Sequence, residues 1–365
     1  MKKVMLIGNS EIVIYNFRLE FIEALIKQGY EVYLAFPYGT RADELIKMGC
    51  RYYDISIDRH GKNVLKDLKL LNQYHKLIKK ILPDIVFTFT IKPTIYGAIA
   101  CRQCHIPCIP TITGLGSSLN NGVLLSKLIS KLYRFSLKKV PLIFFQNKEN
   151  QKYFWRQNIW RGNSQRVMGS GVNLEKFPLY DFPPISPKIH FLFIGRIMRE
   201  KGINELLDAI KILRSRYSNI ELHLCGFLEE DYANQIKKME RDRMLIYHGM
   251  VDDIRYLIKQ AHCIVLPSYH EGMSNALLEA ASCGRPLIAS DVPGCKEIII
   301  ESENGFLVSP ADSISLKKAM EKFILLDYGS MKAMGINSRH FVEKHFDRKD
   351  IVSAYMKQIK LLNEE

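Results

Sequence analysis

No apolar run of 18 residues occurs in the 365-residue sequence, so no segment is expected to cross a bilayer as a helix. A glycine fingerprint is also missing. Only Gly8 follows the first apolar run, Val4–Ile7, and acidic Glu31 begins the second run instead of ending it. A nicotinamide oxidoreductase needs those glycines to bring backbone against a pyrophosphate, so that class is disfavoured. Asp-x-Asp is absent, which removes a common carboxylate clamp for Mg²⁺ or Mn²⁺ on a diphosphate. The Walker loop, Gly-x-Ser-x-Gly and His-Glu-x-x-His are absent as well. Eight cysteines are scattered, and Cys101-x-x-Cys104 with Cys108 is the one cluster. Without a second pair it is weak as a zinc site, and the expectation is reduced structural thiols in a cytoplasmic protein. Met1-Lys2-Lys3 leads directly into Val4–Ile7, so this start reads as a first strand and not as a signal peptide.

The composition present is that of a globular protein, 47% hydrophobic and 25% charged. Its length predicts two domains, each able to bury a core. The net charge of +14 is uneven: residues 1–180 hold 27 Lys and Arg against 12 Asp and Glu, whereas 181–365 hold 25 against 26. An excess confined to one half suits an anionic partner such as a membrane surface, nucleic acid or lipid phosphate; a solvated basic face is the alternative.

Along the chain, strands and helices alternate. Strands are expected at Val4–Ile7, Val32–Phe36, Tyr52–Ile57, Asp84–Phe89, Cys108–Thr111 and Leu142–Gln146. A helix around Phe17–Leu25 stops at Gly29, and others span Arg41–Met48, Leu65–Leu82 and Thr94–Cys104. Lys92-Pro93-Thr94 reads as a turn, and Thr113-Gly114-Leu115-Gly116-Ser117-Ser118 as a loop past a strand end. That loop either faces a phosphate or is a plain connection. Leu124–Lys139 sets Leu124, Leu125, Leu128, Ile129, Leu132 and Phe135 on one helical face and Lys127, Lys131, Arg134 and Lys138 on the other. Such a helix lies on an anionic membrane or buries its apolar face in the domain.

Gly169-Ser170-Gly171, then Pro178, Pro183, Pro184 and Pro187, mark a stiff linker near residue 175. A second strand–helix series follows, with strands at Ile189–Ile194, Glu221–Cys225, Cys263–Leu266, Leu287–Ala289 and Phe306–Val308. The last stretch, Ile336–Leu362, is helical in pattern. Asp252 or Asp253 is expected to cap a helix.

Two stretches carry chemistry. Gly195-Arg196-x₄-Lys201-Gly202 puts two cations at a strand-to-helix turn, where they suit a pyrophosphate leaving group. Pro267 to Ala280 follows a buried strand, turns at Glu271-Gly272 and opens a helix near Ser274. Glu271 and Glu279 are about 12 Å apart by helical rise, too far to share a proton or to act as a retaining hydrolase pair. They either grip two parts of a long ligand such as a nucleotide-sugar or are a solvated helix start.

These stretches, with Gly284-Arg285-Pro286 to Cys295-Lys296-Glu297 and Asn304-Gly305, resemble glycosyltransferase family 4. Phe89 to Gly97 and Thr111 to Ser117 are similar to bacterial members that extend undecaprenyl-diphosphate-linked sugars, such as the N-acetylgalactosaminyltransferases. The resemblance implies an α/β GT-B fold, two Rossmann-like doubly wound domains facing a cleft, over about residues 1–175 and 176–344. A last helix, about 345–365, packs back on the first. It implies a UDP-sugar donor carrying a hexose or N-acetylhexosamine, a retained anomeric configuration, and neither metal nor cofactor. Glu271 would contact the donor sugar and Glu279 the ribose, while Arg196 and Lys201 bind the diphosphate. Gly272, Met273, Ser274, Asn275 and Ala276 would cradle sugar and phosphate, with Gly8, Thr113 and Gly114 lining the first domain's side. Many members have His where Thr113 stands; neither His105 nor His270 is an obvious replacement. The expected partners are a lipid-diphosphate-linked glycan and an anionic membrane surface on the cytoplasmic face, not nucleic acid. A UDP-sugar epimerase of the same fold and a non-catalytic nucleotide-sugar-binding membrane subunit are the alternatives.

Overall fold

The structure, a computed structural model, describes residues 2–58, 61, 63–114, 123–184 and 188–364. It divides into two compact units, Met1–Ser170 with Arg348–Glu365, and Gly171–Asp347.

The first unit runs β1 (Lys3–Ile7), α1 (Glu11–Lys27), β2 (Glu31–Phe36), α2 (Arg41–Lys47), β3 (Arg51–Asp54), α3 (Val64–Ile81) and β4 (Ile85–Phe89). It continues with α4 (Ile91–Gln103), β5 (Cys108–Ile112), α5 (Val123–Ser136), β6 (Ile143–Phe145), α6 (Lys148–Arg156) and β7 (Ser164–Arg166). The strands form one parallel sheet in the order β3-β2-β1-β4-β5-β6-β7. A parallel sheet is covered on both faces, which is why β4 and β5 are wholly buried and apolar except for Thr88 and Thr111. Local chemistry sets the helix ends. Ser10 caps α1 by accepting from the Val13 N–H, and Asn63 caps α3 by accepting from Leu65 and Lys66.

The second unit runs β8 (Ile189–Ile194), α7 (Ile203–Arg214), β9 (Ile220–Cys225), α8 (Ala233–Arg241), β10 (Leu245–Tyr247), α9 (Arg255–Gln260) and β11 (Cys263–Leu266). Then come α10 (Asn275–Ser282), β12 (Leu287–Ser290), β13 (Gly305–Val308), α11 (Ser313–Ile324) and α12 (Tyr328–His345). Its parallel sheet has the order β10-β9-β8-β11-β12-β13. In both sheets the order reverses beside the first strand, between β1 and β4 and between β8 and β11. Open α/β sheets bind ligands at the carboxyl ends of strands at such a reversal.

The last helix, α13 (Arg348–Glu364), belongs to the first unit. Its Tyr355 is 1% exposed and meets the rings of Phe21, Phe87, Phe89 and Phe144. Arg348 bonds both carboxylate oxygens of Glu20 at 3.0 Å and the Ser170 carbonyl at 3.1 Å. Arg18 is buried beside it, its guanidinium 4.3 Å from the Phe89 ring centre.

Several sequence expectations are corrected. Lys92-Pro93-Thr94 is not a turn but the first turn of α4, where Pro loses no hydrogen bond because the N–H groups there have no intrahelical acceptor. The chain instead turns at Thr90, with φ of 72°. β3 ends at Asp54, short of Ile57, because its partner β2 ends at Phe36 in that register. β7 is a strand that apolar pattern did not mark, whereas β10 ends at Tyr247, where the sequence reads as a strand end and turn. The stretch Ile336–Leu362 is broken between α12 and α13. The division between units falls at Ser170/Gly171, because Val172 already bridges to Asp347 and its N–H donates to Phe346. Asp253 accepts from the Arg255 N–H, but α9 itself is preceded by Ile254. The loop residues 115–118 and Pro187 lie outside the described residues.

Candidate functional site

The site is built where β8 and β11 run side by side, with Cys263 opposite Phe191 and Ile264 opposite Leu192. Parallel pairing brings their carboxyl ends out together. After β8 come Gly195-Arg196-Ile197-Met198, a short 3₁₀ turn at Arg199–Lys201, Gly202 and α7. After β11 come Pro267 to Gly272 and then α10, capped by Ser274, whose hydroxyl accepts from the Leu277 N–H at 3.3 Å.

The two turns lock together through one glycine. Gly202 has φ of +73°, and a Cβ there would stand 2.1 Å from the Pro267 carbonyl oxygen. Only glycine tolerates both the conformation and the contact. That approach carries Lys201 to Glu271: Nζ to Oε1 is 2.5 Å, and the buried Ser268 hydroxyl donates to the same oxygen at 2.8 Å. The two charged side chains are only 16% and 13% exposed, so their attraction is screened less than at an open surface. The Tyr269 N–H donates to the Glu200 carbonyl at 2.9 Å, and its hydroxyl to Glu205 Oε1 at 2.8 Å. Burial, then the bond to Glu205, raises the Tyr269 phenol above its ordinary pKa and keeps it a donor.

A second glycine supports the turn from behind. Gly294 has φ of +88°, and a Cβ there would lie 2.8 Å from the carbonyl oxygens of both Glu271 and Gly272. Its own carbonyl accepts from the Ser274 N–H at 2.8 Å, and its N–H donates to Glu297 at 2.7 Å. Among the described residues, two buried oxygens here have no hydrogen-bonding partner, Glu205 Oε2 and Asn275 Oδ1, so each has the capacity to accept from a ligand.

Of the residues singled out from sequence, the structure therefore joins Lys201 to Glu271. Gly272 is half-buried, Met273 and Ser274 are buried, and Asn275 and Ala276 open α10 half-buried. Glu279 lies half-buried within α10, whereas Glu271 precedes the cap. Arg196 is not part of the Lys201–Glu271 pair: its guanidinium bonds Glu229 at 2.6 Å and is 42% exposed. In the first unit Gly8 follows β1, where a Cβ would meet Ile14 at 2.9 Å, and half-buried Thr113 and Gly114 follow β5. His105 closes a turn after α4, its N–H donating to the Arg102 carbonyl. Sequence reading missed the roles of Ser268, Gly294 and Glu205. Ser268 and Gly294 stand inside the marked stretches, so their position was a signal; Glu205 carries no pattern of its own.

The cysteines are free and, apart from half-buried Cys104, buried. Burial pushes Cys50 and Cys283 up to about 12, which makes them inert thiols.

Comparison with known proteins shows what this chain resembles. Residues 182–341 match the family model described as glycosyl transferases group 1, and residues 3–147 match glycosyl transferase 4-like. N,N'-diacetylbacillosaminyl-diphospho-undecaprenol alpha-1,3-N-acetylgalactosaminyltransferase of Campylobacter jejuni is 26% identical over 329 residues, 86% of each chain. UDP-Gal:alpha-D-GlcNAc-diphosphoundecaprenol alpha-1,3-galactosyltransferase of Escherichia coli is 26% identical over 300 residues, 78% of this chain and 77% of its own. Among solved structures, sucrose-phosphate synthase of Thermosynechococcus elongatus superposes over all of both chains with a TM-score of 0.82 at 20% identity, a GT-B likeness of fold.

Proposed function

Because this chain belongs to the glycosyltransferases, with a 4-like first unit and a group 1 second unit, we propose that it moves one sugar from a UDP-sugar to a lipid-diphosphate-linked glycan. The reaction serves assembly of a bacterial surface polysaccharide. The observation that carries the donor half of this reading is the Lys201–Glu271 pair beside the N-terminus of α10, at the reversal of a parallel sheet. The acceptor half rests on the two relatives, whose names both specify undecaprenyl-diphosphate glycans.

In this mechanism the donor diphosphate lies against the first turn of α10 and the cations Lys201 and Arg196. Glu271 accepts from hydroxyls of the transferred sugar and Glu279 from those of the ribose. Gly272 to Ala276 line the sugar and phosphate with backbone N–H groups. The acceptor oxygen attacks the anomeric carbon on the side of the leaving group. The bond from that carbon to the phosphate oxygen breaks, and the acceptor proton passes to the departing UDP. Configuration is retained, in keeping with the alpha linkages in the relatives' names. Lys201 and Arg196 neutralise the charge that develops on UDP, the work that a carboxylate-held metal does elsewhere. Donor binding on this reading needs no metal and no cofactor.

The lipid-linked acceptor places the work at the cytoplasmic face of a membrane, to which the protein binds peripherally. No helix among the described residues is long and apolar enough to cross one. On α5, Leu128 is 53% and Phe135 49% exposed, among exposed Lys127, Lys131 and Arg134, with exposed Lys138 just beyond the helix. The face turned inward carries Ser130, Tyr133 and Ser136, with Ile129 and Leu132 packed half-buried against the core. Exposed apolar and basic side chains on one helix favour the surface-binding reading of this segment.

The test is a UDP-release screen of donor sugars against lipid-linked acceptors. Release that requires an acceptor supports transfer. Conversion of the donor with no acceptor present would indicate an epimerase, and UDP binding without turnover a non-catalytic subunit.

A further inference from the structure

Four histidines cross one face of the second unit's sheet. The strand register puts His190 of β8 opposite Glu221 of β9, and His223 opposite Leu192, so His190, Glu221 and His223 point to the same side. His262, just before β11, and His248, just after β10, extend the row. His190 Nδ1 lies 2.9 Å from His223 Nε2, and Glu221 Oε2 lies 3.5 Å from the first and 3.4 Å from the second. The turn proposed to bind the donor begins at the far end of β8: Arg196 is about 20 Å further along the strand direction by its rise.

We propose that His190, Glu221 and His223 bind one divalent transition-metal ion of the zinc class, at a site separate from the donor turn.

Two features support it. First, a tetrahedral ion with bonds of about 2.0–2.1 Å holds its ligand atoms about 3.3–3.4 Å apart, and the triangle of 2.9, 3.4 and 3.5 Å is nearly that size before any ion is bound. Second, the supporting contacts are those of a ligand set. His223 Nδ1 lies 2.9 Å from His248 Nε2, so it can donate its N–H there and leave Nε2 with a lone pair for the ion. Lys188 Nζ holds the other carboxylate oxygen, Oε1, at 2.5 Å and leaves Oε2 turned to the two imidazoles. His262 has a different part: its Nδ1 accepts the His190 backbone N–H at 3.0 Å and its Nε2 meets the Pro184 carbonyl at 3.3 Å, so both nitrogens are occupied. Two imidazoles and one carboxylate select zinc, nickel or copper over magnesium or calcium. With three protein ligands, the ion keeps one position for water. His190 is 27% exposed and gives the ion its way in.

The test uses untagged full-length protein, freed of metal by a chelator and titrated with Co²⁺ and then Zn²⁺. The expected result is one Co²⁺ per chain with tetrahedral ligand-field bands, displaced by Zn²⁺, and no response to Mg²⁺. Glu221→Gln and His223→Gln should each weaken binding more than about 100-fold, and His248→Phe, which removes only the supporting acceptor, by about 10–100-fold. Metal-free melting curves check that these variants fold. A second readout needs no variant: in the wild-type protein Co²⁺ should broaden the ring NMR signals of His190 and His223 most strongly and those of their neighbours His248 and His262 less, and leave histidines outside this row, such as His75 and His105, sharp. Absence of stoichiometric binding, binding unchanged in the variants, or broadening centred on histidines outside the row would each overturn the site and leave the row as a hydrogen-bonded chain of imidazoles. None of these readouts depends on transferase activity, so failure here is distinct from failure of the proposed function.

Discussion

Lys201 and Glu271 stand 70 residues apart in sequence and 2.5 Å apart in space. Each residue was legible as a candidate, since a cation before a helix and an acid before a cap are local patterns. Their meeting was not, because it depends on which strands are neighbours. If Lys201 stabilises the departing diphosphate, Lys201→Ala should lower turnover by about 10²–10³ with secondary structure intact. Steady-state kinetics on the folded variant check this, and unchanged turnover would remove Lys201 from the mechanism. Arg196 makes a sharper case. Its pair with Glu229 is exposed and contributes at most about 1 kcal/mol to stability. Arg196→Ala should therefore leave the melting temperature almost unmoved while slowing transfer. Loss of stability without loss of rate would show that its role is structural.

At the scale of elements, periodicity placed the strand–helix alternation and the caps at Ser274 and Gly202, because apolar runs and cap residues are local signals. It failed where the deciding partner is distant. β3 stops where β2 stops, and Pro93 enters α4 because a helix's first turn needs no N–H acceptor. The inward face of α5 also escaped periodicity. Tyr133 packs on the Phe154 ring of α6, 5.1 Å between centres, so the face bearing Ser130 and Ser136 turns in with Ile129 and Leu132 half-buried beside it, while Leu128 and Phe135 stay out. Two predictions belong here. Gly202→Ala forces a side chain into a positive φ and against the Pro267 carbonyl, and should cost more than about 1 kcal/mol in denaturant unfolding as well as activity. A fully stable, active Gly202→Ala would contradict the locked-turn account. Wild-type protein should sediment with anionic vesicles at low salt and be released at high salt, and Phe135→Glu should weaken that binding. Indifference to vesicles would end the membrane role assigned to α5.

At the scale of the molecule, the two-unit plan was readable from length, the proline-rich linker and the repeated alternation. The return of the chain at Arg348 was expected from the family resemblance, whereas periodicity alone showed only a helical pattern. Its fixing residues, Tyr355 among four aromatic rings and Arg348 on Glu20, are ordinary in sequence and acquire meaning from packing. Tyr355→Ala should destabilise the first unit by about 3–5 kcal/mol, the cost of removing a large buried aromatic side chain, measured by urea unfolding. On the proposed function, the basic residues 1–180 would face the lipid-linked acceptor and Gly171–Asp347 would hold the donor. Mass spectrometry of a lipid-diphosphate-linked acceptor incubated with a panel of UDP-sugars tests that claim most directly. The account predicts that the acceptor gains the mass of one sugar residue, in step with UDP released, also in the presence of a chelator, and that Glu271→Ala abolishes the gain. An acceptor of unchanged mass while the protein isomerises or merely binds the UDP-sugar would contradict it.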